Sequence, residues 1–234
     1  MHNIMIYKYH KIGSVKPLLL RGDEIMNNVA LIGEGGHSSV VIDIINLQQK
    51  YKIFAVFDDK YHTLQKHNNC YYGPVSSMKD LKKKNNFKII VCIGDNKIRK
   101  KIINQLNISL ESFETFIHPS AQISNKTKIG KGTVIMPNVV INANSNIGNH
   151  VILNTSCVIE HDNDIQDFVH ISPSATLTGN VKIAEGTHIG ANAVLIPGVS
   201  VGRWTIIGAG STVTQNITDE CTAVGSPARI IKGI

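Results

Sequence analysis

The chain is poor in the residues that mark several protein classes. Its 234 positions hold one tryptophan, four cysteines and 6% aromatic residues. The longest apolar stretches fall far short of the 18 or more residues that a membrane helix needs, so no membrane insertion is expected. No segment joins a basic start, an apolar stretch and a small-residue cleavage site, so no export signal is expected. Cys70, Cys92, Cys157 and Cys221 are scattered and form no CxxC pair, which reads as a reduced cytoplasmic protein.

Acidic residues are also scarce relative to basic ones, and the imbalance is local. The formal net charge is +7. Residues 1–115 hold 17 lysines and arginines against 10 acids, while residues 116–234 hold 7 of each. The excess gathers in "KKK" at 82–84 and "RKK" at 99–101. Aromatic residues do not interleave with these runs, so they read as solvated helix faces, and no nucleic-acid partner is expected. A basic half does suit a phosphorylated small molecule.

What the second half does contain is a repeat. From Ile117 to Val213 every sixth residue is Ile, Leu or Val, without a break in phase. Four residues after most of these stands a small or branched side chain, among them Ala121, Thr133, Cys157, Ala175 and Ala193. Glycine follows the aliphatic directly at 130, 148, 190, 202 and 208. Neither the helical period of 3.6 nor the strand period of 2 yields six. A triangular solenoid does, with one hexad per side and 18 residues per coil. The aliphatics then fill the axis, each contributing roughly 1.5–3 kcal/mol of burial. The glycines fall at corners, where a larger side chain clashes or positive φ is wanted. Cys157, at such a small position, reads as structural.

The first half has a different pattern. Residues 28–36, "NVALIGEGG", read as a strand entering a glycine turn. A helix pattern, "HSSVVIDIINLQQ", and a second strand, "YKIFAVFDD" (51–59), follow. Amides at Gly33, Gly35 and Gly36 and at the helix start can hold a phosphate. Asp58 or Asp59, ending the second strand, can accept from ribose hydroxyls. The third glycine of the dinucleotide fingerprint is missing, so a nucleotide-sugar fits better than a redox cofactor. A tight turn with no ligand is the bland alternative. A third strand, "FKIIVCIGDN" (87–96), precedes a basic helix, which makes Gly94, Asn96 and Arg99 candidates at the same edge. The domains read as 27–114, a small Rossmann-like α/β unit; 115–215, the all-β prism; and 216–234, a tail. Residues 1–26 read as an extension outside both domains.

The hexads and the closing "AVGSPARIIKGI" (223–234) resemble the left-handed β-helix acyltransferases. "GEGGHSSVV" (33–41), "CIGDNKIRKKI" (92–102), "IMPNVVINA" (135–143), "VILNTSCVIEHD" (151–162), "FVHIS" (168–172) and "GNVKI" (179–183) resemble one branch of these, the bacterial N-acetyltransferases acting on UDP-4-amino-4,6-dideoxy sugars, as in bacillosamine synthesis. The resemblance implies left-handed coiling, acetyl-CoA as cosubstrate, no metal, and a homotrimer with active sites between subunits. It also implies site residues. His161 would be the general base, with Asp162 orienting it. His170, Ser172, Gly179, Gly225, Pro227 and Ala228 would lie along the coenzyme. Asn142 and Asn154 would touch the acceptor sugar, and His37 the nucleotide, although a hydrogen bond at the helix start is an equal reading of His37. His188 reads as surface or groove lining. His118 reads as ordering the first coil or touching the acceptor.

Histidine suits the proton task because its ordinary pKa lies near neutrality. The same wider branch includes sialic acid O-acetyltransferases and GDP-amino-sugar N-acetyltransferases, which remain alternative activities. Two remoter alternatives are a γ-type carbonic anhydrase holding zinc through His161, His170 and His188, and a nucleotide-sugar binder without turnover.

Overall fold

The computed structural model describes residues 26–233, so the expected extension lies, apart from Met26, outside the described residues. The first unit is a five-stranded sheet in the order β3 (Gln65–His67), β4 (Cys70–Gly73), β2 (Tyr51–Phe57), β1 (Asn27–Ile32), β5 (Lys88–Val91). All pairs are parallel except β3 with β4. Side chains alternate across β1. Val29 and Leu31 pack on α1 (Gly36–Gln48) through Val41, Ile44 and Ile45. Ala30 and Ile32 face the other way, toward Met78 and Leu81 of α2 (Met78–Lys84) and Leu106 of α3 (Asn96–Leu106). Both faces are covered, which explains the unbroken apolar run of β1. The β3–β4 hairpin and α2 are additions to the expected elements, since neither carries a strong pattern in the sequence.

The second unit is the prism. Strands β6 (Phe116–Ile117) to β22 (Thr212–Val213) have two residues each and recur every six residues. They form three parallel sheets in which each residue pairs with the one 18 further on, as in Val140↔Val158 and Val158↔Thr176. The second residue of each strand is the aliphatic of the repeat. From Ile135 to Val213 these are buried in one cluster, while Ile117, Ile123 and Ile129 are partly exposed at the first coil. The small side chains four residues on share that interior. Several of them are polar and satisfied there: Thr133 Oγ1 donates to the Gly148 carbonyl (3.0 Å) and Ser145 Oγ to that of Glu160 (2.8 Å).

Of the two reasons expected for the corner glycines, the structure bears out the clash and not the positive φ. Positive φ recurs every sixth residue from Gly132 to Gly210, at positions held by Asn138, Asn144, His150, Asp162, Phe168 and Trp204 among others. The glycines at 130, 148, 190, 202 and 208 stand two places earlier and do not have it. They are glycine for clearance. A Cβ on Gly148 would meet the Asp167 amide nitrogen at 2.7 Å, and one on Gly190 the Ala209 nitrogen at 2.5 Å.

The tail extends one sheet. β23 (Cys221–Val224) adds in parallel beside β21 (Ile206–Ile207), and β24 (Arg229–Gly233) returns antiparallel. Ile217, Cys221, Ala223 and Ala228 close the axis.

The first domain sits on the eight-stranded face. Phe116, Val134, Met136 and Ile152 of the prism share a buried cluster with Val29, Leu31 and Ile44. At one corner α3 grips the coil backbone. Arg99 is 1% exposed, and its guanidinium donates to the carbonyls of His150 (3.0 Å), Phe168 (2.8 Å), Ile93 (2.9 Å) and Gly94 (3.1 Å) and to Asn96 Oδ1 (2.8 Å). Asn96 Nδ2 reaches the Gly186 carbonyl at 3.0 Å. Lys100 pairs with Glu185 and lies over the Phe168 and Trp204 rings.

Candidate active site

The turn between β13 (Val158–Ile159) and β14 (Asp164–Ile165) carries His161 and Asp162. His161 Nδ1 lies 2.7 Å from Asp162 Oδ2. Asp162 has φ +62°. Asn144, one coil earlier, donates to Asp162 Oδ1 at 3.1 Å. The contact with His161, and next that with Asn144, holds the Asp162 carboxyl below the usual range. The His161 ring lies over Gly179 of the next coil, where a Cβ would meet Cε1 at 2.7 Å and Nε2 at 2.8 Å. The structure thus brings His161, Asp162 and Gly179 together. Asn144 completes the group; the periodicity alone places it one coil below Asp162, since 144 and 162 differ by 18. Asn142 donates to Glu160 Oε2 (2.9 Å) on the neighbouring strand edge.

A second cluster lies where the glycine-turn domain meets the eight-stranded sheet. His170 and His188 pair in register and their rings stack at 4.8 Å and 6°. His170 Nε2 is 3.2 Å from Asn154 Nδ2, and His188 Nε2 is 2.8 Å from Ser172 Oγ. Burial, then the neighbouring His188 and Arg99, pushes the His170 pKa down to about 3. Burial, then Arg99, lowers that of His37 to about 4. Both keep an interior ring nitrogen without a hydrogen-bond partner: Nδ1 of His170 and Nε2 of His37. A cleft of about 450 Å³ opens beside the His170–His188 pair, lined also by Gly94, Asp95, Lys97 and Trp204.

At the sheet edge Gly33 has φ +97°, and a Cβ there would meet the Ile93 side chain at 2.9 Å. Gly35, Gly36 and Gly94 face open space. Four of the expected ligand residues make contacts within the protein. Asp58 receives the Glu34 amide on Oδ2 (2.8 Å) and the Lys60 amide on Oδ1 (3.0 Å), so it braces the glycine turn. Asp59 receives the Val75 amide (3.0 Å) and lines a different cleft, with Lys79 and Ile102. Asn96 and Arg99 are buried; Asn96 donates to prism carbonyls, and Arg99 to carbonyls of both the prism and its own domain. Glu34 carries no motif signal in the sequence, yet it bonds Tyr61 (2.7 Å) and pairs with Lys60 (3.2 Å) at this edge.

Gly225 takes φ +99°, its amide bonds Ser211 Oγ (3.1 Å), and the Ala228 amide bonds the Thr212 carbonyl (2.8 Å), while Pro227 lies between them in the same turn. Cys157 is buried in the axis, which pushes its thiol up to about 12 and fits a structural role. Among the described residues no three His, Cys, Asp or Glu side chains converge as a metal set, and no helix is long and apolar enough to cross a membrane.

Residues 28–106 match the family described as PglD N-terminal domain, and residues 126–161 and 180–215 match the bacterial transferase hexapeptide family of six repeats. The UDP-N-acetylbacillosamine N-acetyltransferase of Bacillus subtilis (strain 168) is 43% identical over 112 residues. That alignment takes in 47% of this chain and 52% of the relative, so it spans about half the length of the curated protein. PerB from Caulobacter crescentus, solved with CoA and GDP-perosamine, superposes with a TM-score of 0.79 at 32% identity, over 88% of this chain and 98% of that one. The acetyltransferase domain of PglB from Neisseria gonorrhoeae FA1090, solved with acetyl coenzyme A, does so with a TM-score of 0.79 at 32% identity, over 88% and 100%. With the same two-domain plan along nearly the whole of these structures, the chain belongs to the amino-sugar acetyltransferases that join a PglD-type N-terminal domain to a left-handed hexapeptide β-helix.

Proposed function

We propose that the chain is a cytoplasmic, acetyl-CoA-dependent N-acetyltransferase that acetylates the C4 amine of a UDP-4-amino-4,6-dideoxy sugar. The observation that carries this reading is the His161–Asp162 contact at 2.7 Å beside Gly179. Transfer needs a neutral amine, a group to take its proton, and donors for the oxyanion. The amine nitrogen attacks the thioester carbonyl, the new N–C bond forms, and the C–S bond breaks with release of the thiol. Asp162 accepts from His161 Nδ1, leaving Nε2 as the base that takes the amine proton. His161 Nε2 has no partner among the described residues and its side chain is 61% exposed, so an acceptor can reach it.

In this reading the Gly179 amide and His170 face the thioester, and Ser172, Gly225, Pro227 and Ala228 lie along the coenzyme. The Gly33–Gly36 turn and His37 hold the nucleotide phosphates, where open space above Gly35 and Gly36 leaves room. Asn142 contacts the acceptor sugar. The working form is a homotrimer, because His161 and the His170 cleft stand on different edges of one prism. A GDP-linked acceptor is the second reading, favoured by the GDP-perosamine bound to PerB.

The test is thiol release from acetyl-CoA with UDP-, GDP- and CMP-linked amino sugars and with free sialic acid. Turnover is expected with the UDP-4-amino sugar. His161→Ala is expected to lower kcat by roughly 10²–10⁴ with acetyl-CoA still binding. Near-normal turnover in that variant removes His161 from the role.

A further inference from the structure

Asp162 is held from its own coil and from the coil before it, and the second hold asks for a particular residue. Asn144, Asp162 and Asn180 occupy one corner of the prism at a spacing of 18, and all three take positive φ, +64°, +62° and +58°. Asn144 Nδ2 donates to Asp162 Oδ1 at 3.1 Å. Chemistry settles which end of the amide faces the acid, because an ionised carboxylate has no hydrogen to offer and only the NH₂ end can meet it. The other oxygen, Oδ2, lies 2.7 Å from His161 Nδ1. Each oxygen of Asp162 therefore has a partner on a different residue, and the carboxylate is pinned at both ends.

A positive φ at position 144 suits Gly, Asn or Asp. Glycine brings no donor, and aspartate would set a second carboxylate against Asp162. Of the three, only asparagine keeps the conformation and supplies the N–H. The corner itself asks for less, since Gly198 fills it at the same spacing two coils beyond Asp162. Asn144 and Asp162 are both exposed, so their bond replaces one to water and adds little to stability. What it does change is where the carboxylate points. His161 is the only charged or titratable group among the described residues that bears on Asp162. Glu160, the other acid of the turn, is engaged by Asn142 at 2.9 Å.

We propose that Asn144 is a positioning residue: it holds Asp162 Oδ1 so that Oδ2 stays on His161 Nδ1, and thereby fixes which nitrogen of the base faces the acceptor. Asn144 acts through Asp162 and touches neither substrate. Its part in turnover rests on the proposed acetyl transfer; its bond to the carboxylate does not.

The experiment uses full-length protein and substitutions that keep the corner conformation. Asn144→Gly removes the donor without backbone strain. Its kcat is expected to fall about tenfold, the size of one lost hydrogen bond to a charged group, with the KM for acetyl-CoA and for the nucleotide sugar unchanged. Made in an Asp162→Gly background, the same substitution is expected to change kcat by less than about twofold, because the group it acts through is gone. A ¹³C titration of the Asp162 carboxyl reads the bond without any substrate. Its midpoint is expected to rise in Asn144→Gly, and further in Asn144→Asp, where two carboxylates face each other. An equal loss of kcat in both backgrounds, a raised KM with unchanged kcat, or an unmoved Asp162 titration each overturns the proposal. A titration that rises in protein releasing no thiol with any acceptor sustains the bond and removes the acetyl-transfer reading instead.

Discussion

Gly179 lies directly beneath the His161 imidazole, one coil on, so close that a Cβ would stand 2.7 Å from Cε1. The ring's resting place is thus defined from below by an absent side chain and from the side by Asp162. Two residues 18 apart in sequence share one small space, and the coil geometry alone puts them there.

Gly179→Ala tests that contact. Gly179 has no positive φ, so alanine strains no backbone and acts only by displacing the ring. A displacement of about 1 Å at a reacting group costs about 10²-fold. The variant is expected to keep the wild-type melting temperature and to lose kcat by about 10–10²-fold. Unchanged kcat would show that His161 acts from another rotamer.

Arg99 carries the docking of the two domains. Its donors reach the carbonyls of His150 and Phe168 on two successive coils as well as those of Ile93 and Gly94 on its own domain. Arg99→Ala leaves those carbonyls unpaired in the interior and is expected to cost about 3 kcal/mol or more. Arg99→Lys is expected to recover little, because an ammonium cannot span both coils as the planar fork does. The lone tryptophan, Trp204, lies 5.1 Å from Lys100 of the same helix, so its fluorescence during urea unfolding reports loss of docking.

The contrast between Leu153 and Arg99 marks what the sequence reveals. Leu153 lies on the prism axis, and the residues 18 positions either side, Ile135 and Ile171, are also buried aliphatics. Such a repeat is visible because each coil imposes the same local demand. His161, Asp162 and Gly179 are legible for that reason too, since stacking turns spacing into contact. Arg99 reads in the sequence as a candidate at the strand edge; its contacts with two prism coils are visible only in the tertiary arrangement. The positive-φ row is marked in the sequence by Gly, Asn and Asp at 132, 138, 144, 162, 180, 186, 192, 198 and 210, but His150, Phe168 and Trp204 blur it. At those three the coil imposes the conformation on side chains that do not favour it.

Asn163 breaks the row of small interior residues and is 1% exposed. Its Nδ2 donates to the carbonyls of Glu160 (2.6 Å) and Thr178 (3.0 Å), and its Oδ1 accepts the Val181 amide (3.1 Å). It therefore ties the His161 turn to the Gly179 turn from inside the prism. Asn163→Ala is expected to lower stability by about 1–3 kcal/mol through the unpaired Val181 amide and carbonyls. Because the two turns it links carry the site, kcat is expected to fall more than in Thr205→Ala, a comparable interior change placed away from both. Equal activity losses in the two variants would refute the link.

Acid sensitivity follows from the buried histidines, and His150 isolates the effect. It sits at φ +55° between Phe113 (4.6 Å, edge-on) and Phe168 (5.4 Å, stacked), is 3% exposed, and leaves Nδ1 without a partner. Burial, then Arg99, lowers its pKa to about 4. The folded-state value is thus below the unfolded value of about 6.5. Between the two, the unfolded chain binds a proton that the folded chain does not, so stability falls as pH falls from about 6.5 and levels off below about 4. A shift of this size corresponds to about 3 kcal/mol across that window. His150→Asn keeps a residue that tolerates positive φ and removes the titration. It is expected to be less stable than wild type at pH 7.5, because the ring contacts are lost, yet to lose less stability on acidification, so that the two urea-midpoint curves converge toward pH 4.5. Parallel curves would mean that the His150 ring accepts a proton within the folded protein as readily as it does in water.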